Sequence, residues 1–145
     1  MRTPAILAAC LALCALALRA WAAPPLSVSD AWIRATPGAA VAAAYLTLHN
    51  SGNVPVTVTG VRSSVAGMAM IHQTQLICTQ STMRARAALE IAPGETLQFA
   101  PGGLHVMLQE LAHPLQPGED VPLLLLLKDG NTVSVVARVR ALSGE

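Results

Sequence analysis

The sequence predicts an all-β fold, a single-domain antiparallel sandwich with Greek-key connections, and three observations carry that expectation. Beyond residue 23 no long stretch has the apolar period of a helix. Short alternating or apolar runs recur instead, at the spacing typical of sandwiches. Between them stand clusters of Gly, Pro, Asn and Asp, which supply turn dihedrals that other residues resist.

Taken in order, the candidate strands begin with Ser27 to Ala35, then Ala43 to His49, which runs into Asn50-Ser51-Gly52-Asn53. Pro55 to Val61, Ala69 to Leu76 and Thr82 to Ala87 follow, the last closed off by Pro93-Gly94-Glu95. Thr96 to Phe99 ends at Pro101-Gly102-Gly103, and His105 to Glu110 ends before Pro117-Gly118-Glu119-Asp120. Val121 to Lys128 and Thr132 to Arg140 complete the set. Asp129-Gly130 between these two predicts a type I′ hairpin, because that turn needs positive φ at both central residues. Thr132 to Arg140 alternates, as a strand with one wet face does. Leu123 to Leu127 is apolar at every position and therefore belongs in the middle of a sheet.

The first residues have a different character. Arg2 is followed by an uninterrupted apolar run, Ala5 to Leu18, then Arg19 and the small-residue site Ala20-Trp21-Ala22. A membrane span needs about 20 apolar residues, and Arg19 stops this run short of that. The pattern predicts a signal peptide over 1–23, cleaved near Ala22 or Ala23, with the sandwich over 24–145. Leu7-Ala8-Ala9-Cys10 resembles a lipidation motif, but Cys10 comes before an adequate apolar run. Loss of the leader takes Arg2 and Arg19 from the nine Lys and Arg, leaving seven against eight Asp and Glu. Neither nucleic acid nor an anionic membrane is suggested by that balance, no stable membrane insertion is expected once the leader is cleaved, and a monomer is the default. Cys10 and Cys14 leave too, so only Cys78 remains and no internal disulfide forms.

Four Met (68, 70, 83, 107) and four His (49, 72, 105, 113) remain after the leader. A Met in a β-protein ordinarily fills core. His105-Val106-Met107 argues otherwise, since residues i and i+2 of a strand share a face and set imidazole beside thioether. Met68, Met70 and His72 likewise share one parity, with Met68 and Met70 read as a docking rim or as core filler and not as ligands. Thioether is soft and imidazole borderline, and no Asp or Glu joins them, so reduced copper fits better than Mg, Ca or Mn. Zinc sites do not ordinarily use Met. A blue-copper centre needs a thiolate, and Cys78 lies between His72 and Met83 rather than beside a nearby His and Met on one loop. Cys78 reads as a loop residue, and His49 and His113 as surface residues. No nucleophile, base and acid or opposed carboxylates stand out, so the chain does not read as an enzyme.

The spacing His72-x10-Met83-x21-His105-x-Met107 resembles the signature of the periplasmic copper chaperones called PCu(A)C. So do Asp30-Ala31-Trp32-Ile33-Arg34-Ala35-Thr36-Pro37, Ala44-Tyr45-Leu46-Thr47-Leu48 and Ala100-Pro101-Gly102-Gly103-Leu104-His105-Val106-Met107-Leu108. The resemblance implies a cupredoxin-like sandwich that binds one Cu(I) through His72, Met83, His105 and Met107. It further implies a periplasmic carrier whose copper passes to the cytochrome oxidase copper subunit or a Sco-type protein. Two positions depart from the family: Gln73 stands where an acidic residue is common, and the chain ends at Ala141-Leu142-Ser143-Gly144-Glu145 without a His- and Met-rich tail. The latter argues against a second copper site. Three other readings stay open: electron transfer by a copper centre, copper resistance or storage, and an exported sandwich in which the four residues only pack.

Overall fold

The computed structural model describes residues 25–141, so the expected leader lies outside the described residues. Ten strands follow in order: β1 (Leu26–Ala35), β2 (Val41–Asn50), β3 (Val56–Ser63), β4 (Ala66–Ile77), β5 (Gln80–Ala85), β6 (Leu89–Ile91), β7 (Thr96–Gln98), β8 (Leu104–Leu111), β9 (Asp120–Leu127) and β10 (Thr132–Arg140). Nine of the ten are the runs read from sequence, with ends moved by a few residues. The additional one, β6, spans only Leu89–Ile91, too short to show any alternation, and forms by pairing with β3.

Hydrogen bonding runs along one path, β5-β4-β8-β2-β1-β10-β9-β3-β6, with β7 beside β2. The path folds over so that one side of it becomes the core. Leu46 and Leu48 of β2 and Val106 and Leu108 of β8 join Val58 of β3 and Leu123 and Leu125 of β9 in a single buried cluster. The all-β sandwich class is therefore the one expected. Its pairing is not wholly antiparallel, however. β1 runs parallel to β10, with Trp32 opposite Arg138 and Arg34 opposite Arg140. Hydrophobic alternation reports which face is buried and carries no information on the direction of a neighbour, so this pair was invisible in sequence.

β9 lies between β10 and β3, the central position that its leucines imply. Leu123, Leu125 and Leu127 are buried, while Leu124 and Leu126 on the other face are half-buried. The β9–β10 hairpin forms, but through a different turn. Among its residues Gly130 has φ 86° and Asp129 is not in the left-handed region, which rules out type I′. Gly130 N–H donates to Leu127 O and Leu127 N–H to Asn131 O. That is a three-residue loop, a type I turn closed by a left-handed Gly.

One irregularity matters for the outer face. Asp30 takes φ 51° and the β1–β2 register shifts between Ser29 and Trp32. Leu26 and Val28 face inward before this bulge and Ile33 and Ala35 after it, so the inward parity changes from even to odd. Trp32 is thereby turned outward, onto the face that carries Tyr45 and His105.

Candidate metal centre

β4 and β8 pair so that His72 stands opposite His105 and Met70 opposite Met107. Ile71 and Val106 between them are 3% and 0% exposed and enter the core. Strict alternation then sends the two histidines and two methionines to the outward face. The shared face expected for His105 and Met107, and for Met70 and His72, is present in the strands.

The β4–β5 hairpin adds Met83, opposite Thr74 and therefore on that same face. Its Sδ lies 3.3 Å from His72 Nδ1, which can donate to it. The four expected residues, thirty-five positions apart from first to last in the chain, thus occupy three adjacent strands, β5, β4 and β8. They are graded in depth: His105 is 5% exposed, His72 and Met107 are half-buried, and Met83 is 52% exposed. His105 forms the floor of the cluster and Met83 its rim.

The floor is held rigidly. Gly103 O accepts the Nδ1–H of His105 at 3.1 Å and the backbone N–H of Thr74 at 3.0 Å, tying the Pro101-Gly102-Gly103 loop to β4. With Nδ1 protonated, the lone pair of His105 is on Nε2 and free for a metal. The two imidazoles meet edge to face, centroids 5.8 Å apart. Behind them Tyr45 lies 6.5 Å from His105, Trp32 stacks 4.5 Å from Tyr45, and the Arg140 guanidinium sits 4.9 Å above Trp32. This aromatic wall was not assigned a role from sequence. Its signal would have been the Asp30 bulge, which no local pattern announces.

Burial pushes the His72 imidazole below its usual pKa, and the neighbouring His105 adds to that. A neutral ring is the ligating form. Among the described residues no three of His, Cys, Asp and Glu come together, so a hard-ion or zinc-type cluster is not available. The donors that converge are two imidazoles and thioethers, a set suited to a soft ion such as Cu(I).

Cys78 is elsewhere. It occupies the turn of the β4–β5 hairpin at φ 57°, exposed, next to Ile77. Five residues of strand lie between it and His72, a span of roughly 20 Å. His49 bonds Thr96 and His113 pairs with Glu119 at 2.8 Å, both on the surface and outside the cluster.

Comparison with known proteins gives consistent relations. Residues 26–139 match a family model named LpqE-like and described as "Putative lipoprotein LpqE-like". The chain is 36% identical over 118 residues to "Putative lipoprotein Lxx21020" of Leifsonia xyli subsp. xyli, covering 81% of this chain and 70% of that protein. In structure it is similar to CuI-DR1885 from Deinococcus radiodurans, with TM-score 0.66, 31% identity, and 83% and 81% of the two chains covered. It also superposes on the copper-bound PCuAC domain from PmoF2, with TM-score 0.68, 24% identity, and 83% and 97% covered.

Proposed function

The chain belongs to the PCu(A)C-related LpqE-like family, and from that premise we propose that it is an exported Cu(I) carrier rather than an enzyme. One observation carries the reading most: on one outward face, two imidazoles and thioethers from three strands converge, graded from a buried floor to an exposed rim. His72, Met83, His105 and Met107 are the proposed ligands of a single Cu(I). The similarity to a CuI form of DR1885 supports the oxidation state.

A carrier holds its cargo against side reactions and yields it to a partner. Rim exposure of Met83 lets an incoming Cys, His or Met reach the metal and displace the ligands in turn, with no change of oxidation state. His105, held by Gly103 O, keeps its nitrogen aimed throughout. From the family resemblance we take the recipient to be the copper centre of cytochrome oxidase or a Sco-type protein, and the compartment to be the periplasm. Relatives described as lipoproteins support export. Mass spectrometry of the mature protein tests the route: a start near Ala23 identifies leader cleavage, and a lipid-modified Cys10 identifies anchoring instead.

The metal reading is tested by anaerobic Cu(I) titration against a competing chelator, with X-ray absorption to count neighbours. One Cu(I) with mixed nitrogen and sulfur ligation is expected, and H72A/M107A should lose it. Equal affinity in that double variant would overturn the assignment. An electron-transfer centre would show intense visible absorption when oxidised, abolished in C78A; none is expected here, given the distance of Cys78 from the cluster.

A further inference from the structure

The proposed ligand set leaves two thioethers of the same face unused, Met68 and Met70, and of these Met70 is the one opposite a proposed ligand. Met70 lies directly opposite Met107, on the same pair of strands that sets His72 opposite His105. These four side chains form a two-by-two block on the outer face of β4 and β8. Directly opposed side chains in an antiparallel pair begin about 5 Å apart at Cβ, well within reach of two flexible thioethers meeting at one ion.

Met83 stands on weaker ground. It comes from β5, an edge strand, which among the described residues pairs with β4 alone. Beyond it the hairpin ends in Leu76, 74% exposed, and Ile77, 49% exposed, with little packed against either. Elements with few buried apolar contacts open locally at low free energy. β4 and β8 are instead anchored by Ile71, Val106 and Leu108 in the core.

We propose that Met70 is a fifth copper-binding thioether: when Met83 is displaced at the rim, Met70 takes its place, and Cu(I) is held by Met70, His72, His105 and Met107 on β4 and β8 alone. In the exchange one Cu–S bond breaks and another forms, between neutral donors, and neither protons nor electrons move. The consequence for hand-over is that a partner can remove the Met83 ligand without exposing a two- or three-coordinate ion to solvent. This rests on the copper reading above.

The test compares wild type, M83L, M70L and M70L/M83L, since Leu keeps the volume and removes the sulfur donor. Each is titrated with Cu(I) against a chelator and its sulfur neighbours are counted by X-ray absorption. M83L is expected to retain one Cu(I) with two sulfurs. M70L/M83L should fall to one sulfur and lose a further factor of at least about ten in affinity, a loss that even supporting residues of metal sites bring. A single sulfur in M83L, or a double variant indistinguishable from M83L, overturns the role of Met70 while leaving the carrier reading intact. Failure of wild type to take up Cu(I) overturns the carrier reading itself.

Discussion

At the scale of single residues, two polar side chains are informative because their surroundings decide their chemistry. His72 is held below its normal pKa mainly by desolvation and secondarily by His105. In the metal-free protein its imidazole should titrate by NMR with a midpoint under 6.5. H105Q should move that midpoint only part of the way back, because the larger cause remains. Protons compete with copper for the ring, so a lowered pKa extends the ligating form to lower pH. Cu(I) affinity should decline as pH falls through the His72 midpoint. The unfolded chain takes up this proton more readily, so the histidine's contribution to stability is also lost as pH falls.

Asn50 is the second such residue. Fully buried at the end of β2, it donates from Nδ2 to Val54 O at 2.8 Å and Ile91 O at 3.0 Å, and its Oδ1 accepts from Gly52 N–H at 2.9 Å. It fastens the 51–54 turn and the short β6 to the core. N50A strands three backbone groups, each worth about 1–3 kcal/mol when buried and unpaired, less where water enters. A loss of at least about 2 kcal/mol is expected, seen as a lower urea midpoint with unchanged slope. A change under half of that would mean the turn finds other partners.

At the scale of elements, turns and bulges set what the strands present. Gly130 closes the β9–β10 hairpin in the left-handed region, where a Cβ costs roughly 1–2 kcal/mol. G130A should therefore destabilise by about 1 kcal/mol although its Cβ would meet nothing within 4 Å. Gly103 has no such φ, and an added Cβ would make only ordinary contact with Ala100 O. G103A should stay within about 0.5 kcal/mol of wild type and keep the His105 bond to that carbonyl, checked by the same unfolding assay. The pair isolates backbone strain, since neither added Cβ is crowded. The Asp30 bulge belongs to this scale too: by reversing the parity of β1 it buries Ile33 and turns Trp32 toward Tyr45 and the histidines.

For the whole molecule, core and site lie on opposite sides of β4 and β8. Folding buries Ile71, Val106 and Leu108 inward, and none of the proposed ligands belongs to the core cluster; His105, though buried, lies on the outward face against the Gly103 loop. The metal-free protein should consequently be fully folded, and M83L/M107L should melt within a few degrees of metal-free wild type. Cu(I) should raise the melting temperature of wild type by mass action and of that variant far less. Unfolding of the metal-free protein at room temperature would contradict this division.

The strands were legible because burial of one face imposes a period of two on the side chains, and the turns because Gly and Pro mark them. Of the candidate site, the His105-x-Met107 half was legible for the same reason, because the two share a face within one strand; the half made by His72 and Met83 entered through family spacing. Joining the halves needed family spacing, for nothing in a local pattern states that β4 lies beside β8. Tertiary structure alone decided that adjacency, the register that opposes His72 to His105 and Met70 to Met107, and the parallel pairing of β1 with β10. It alone also supplied the Gly103 carbonyl that aims His105 and the bulge that turns Trp32 outward. Alternation constrains which way a side chain faces within its strand. Which strand lies alongside, in what direction and at what register, is settled by long-range packing of the core that those strands build together.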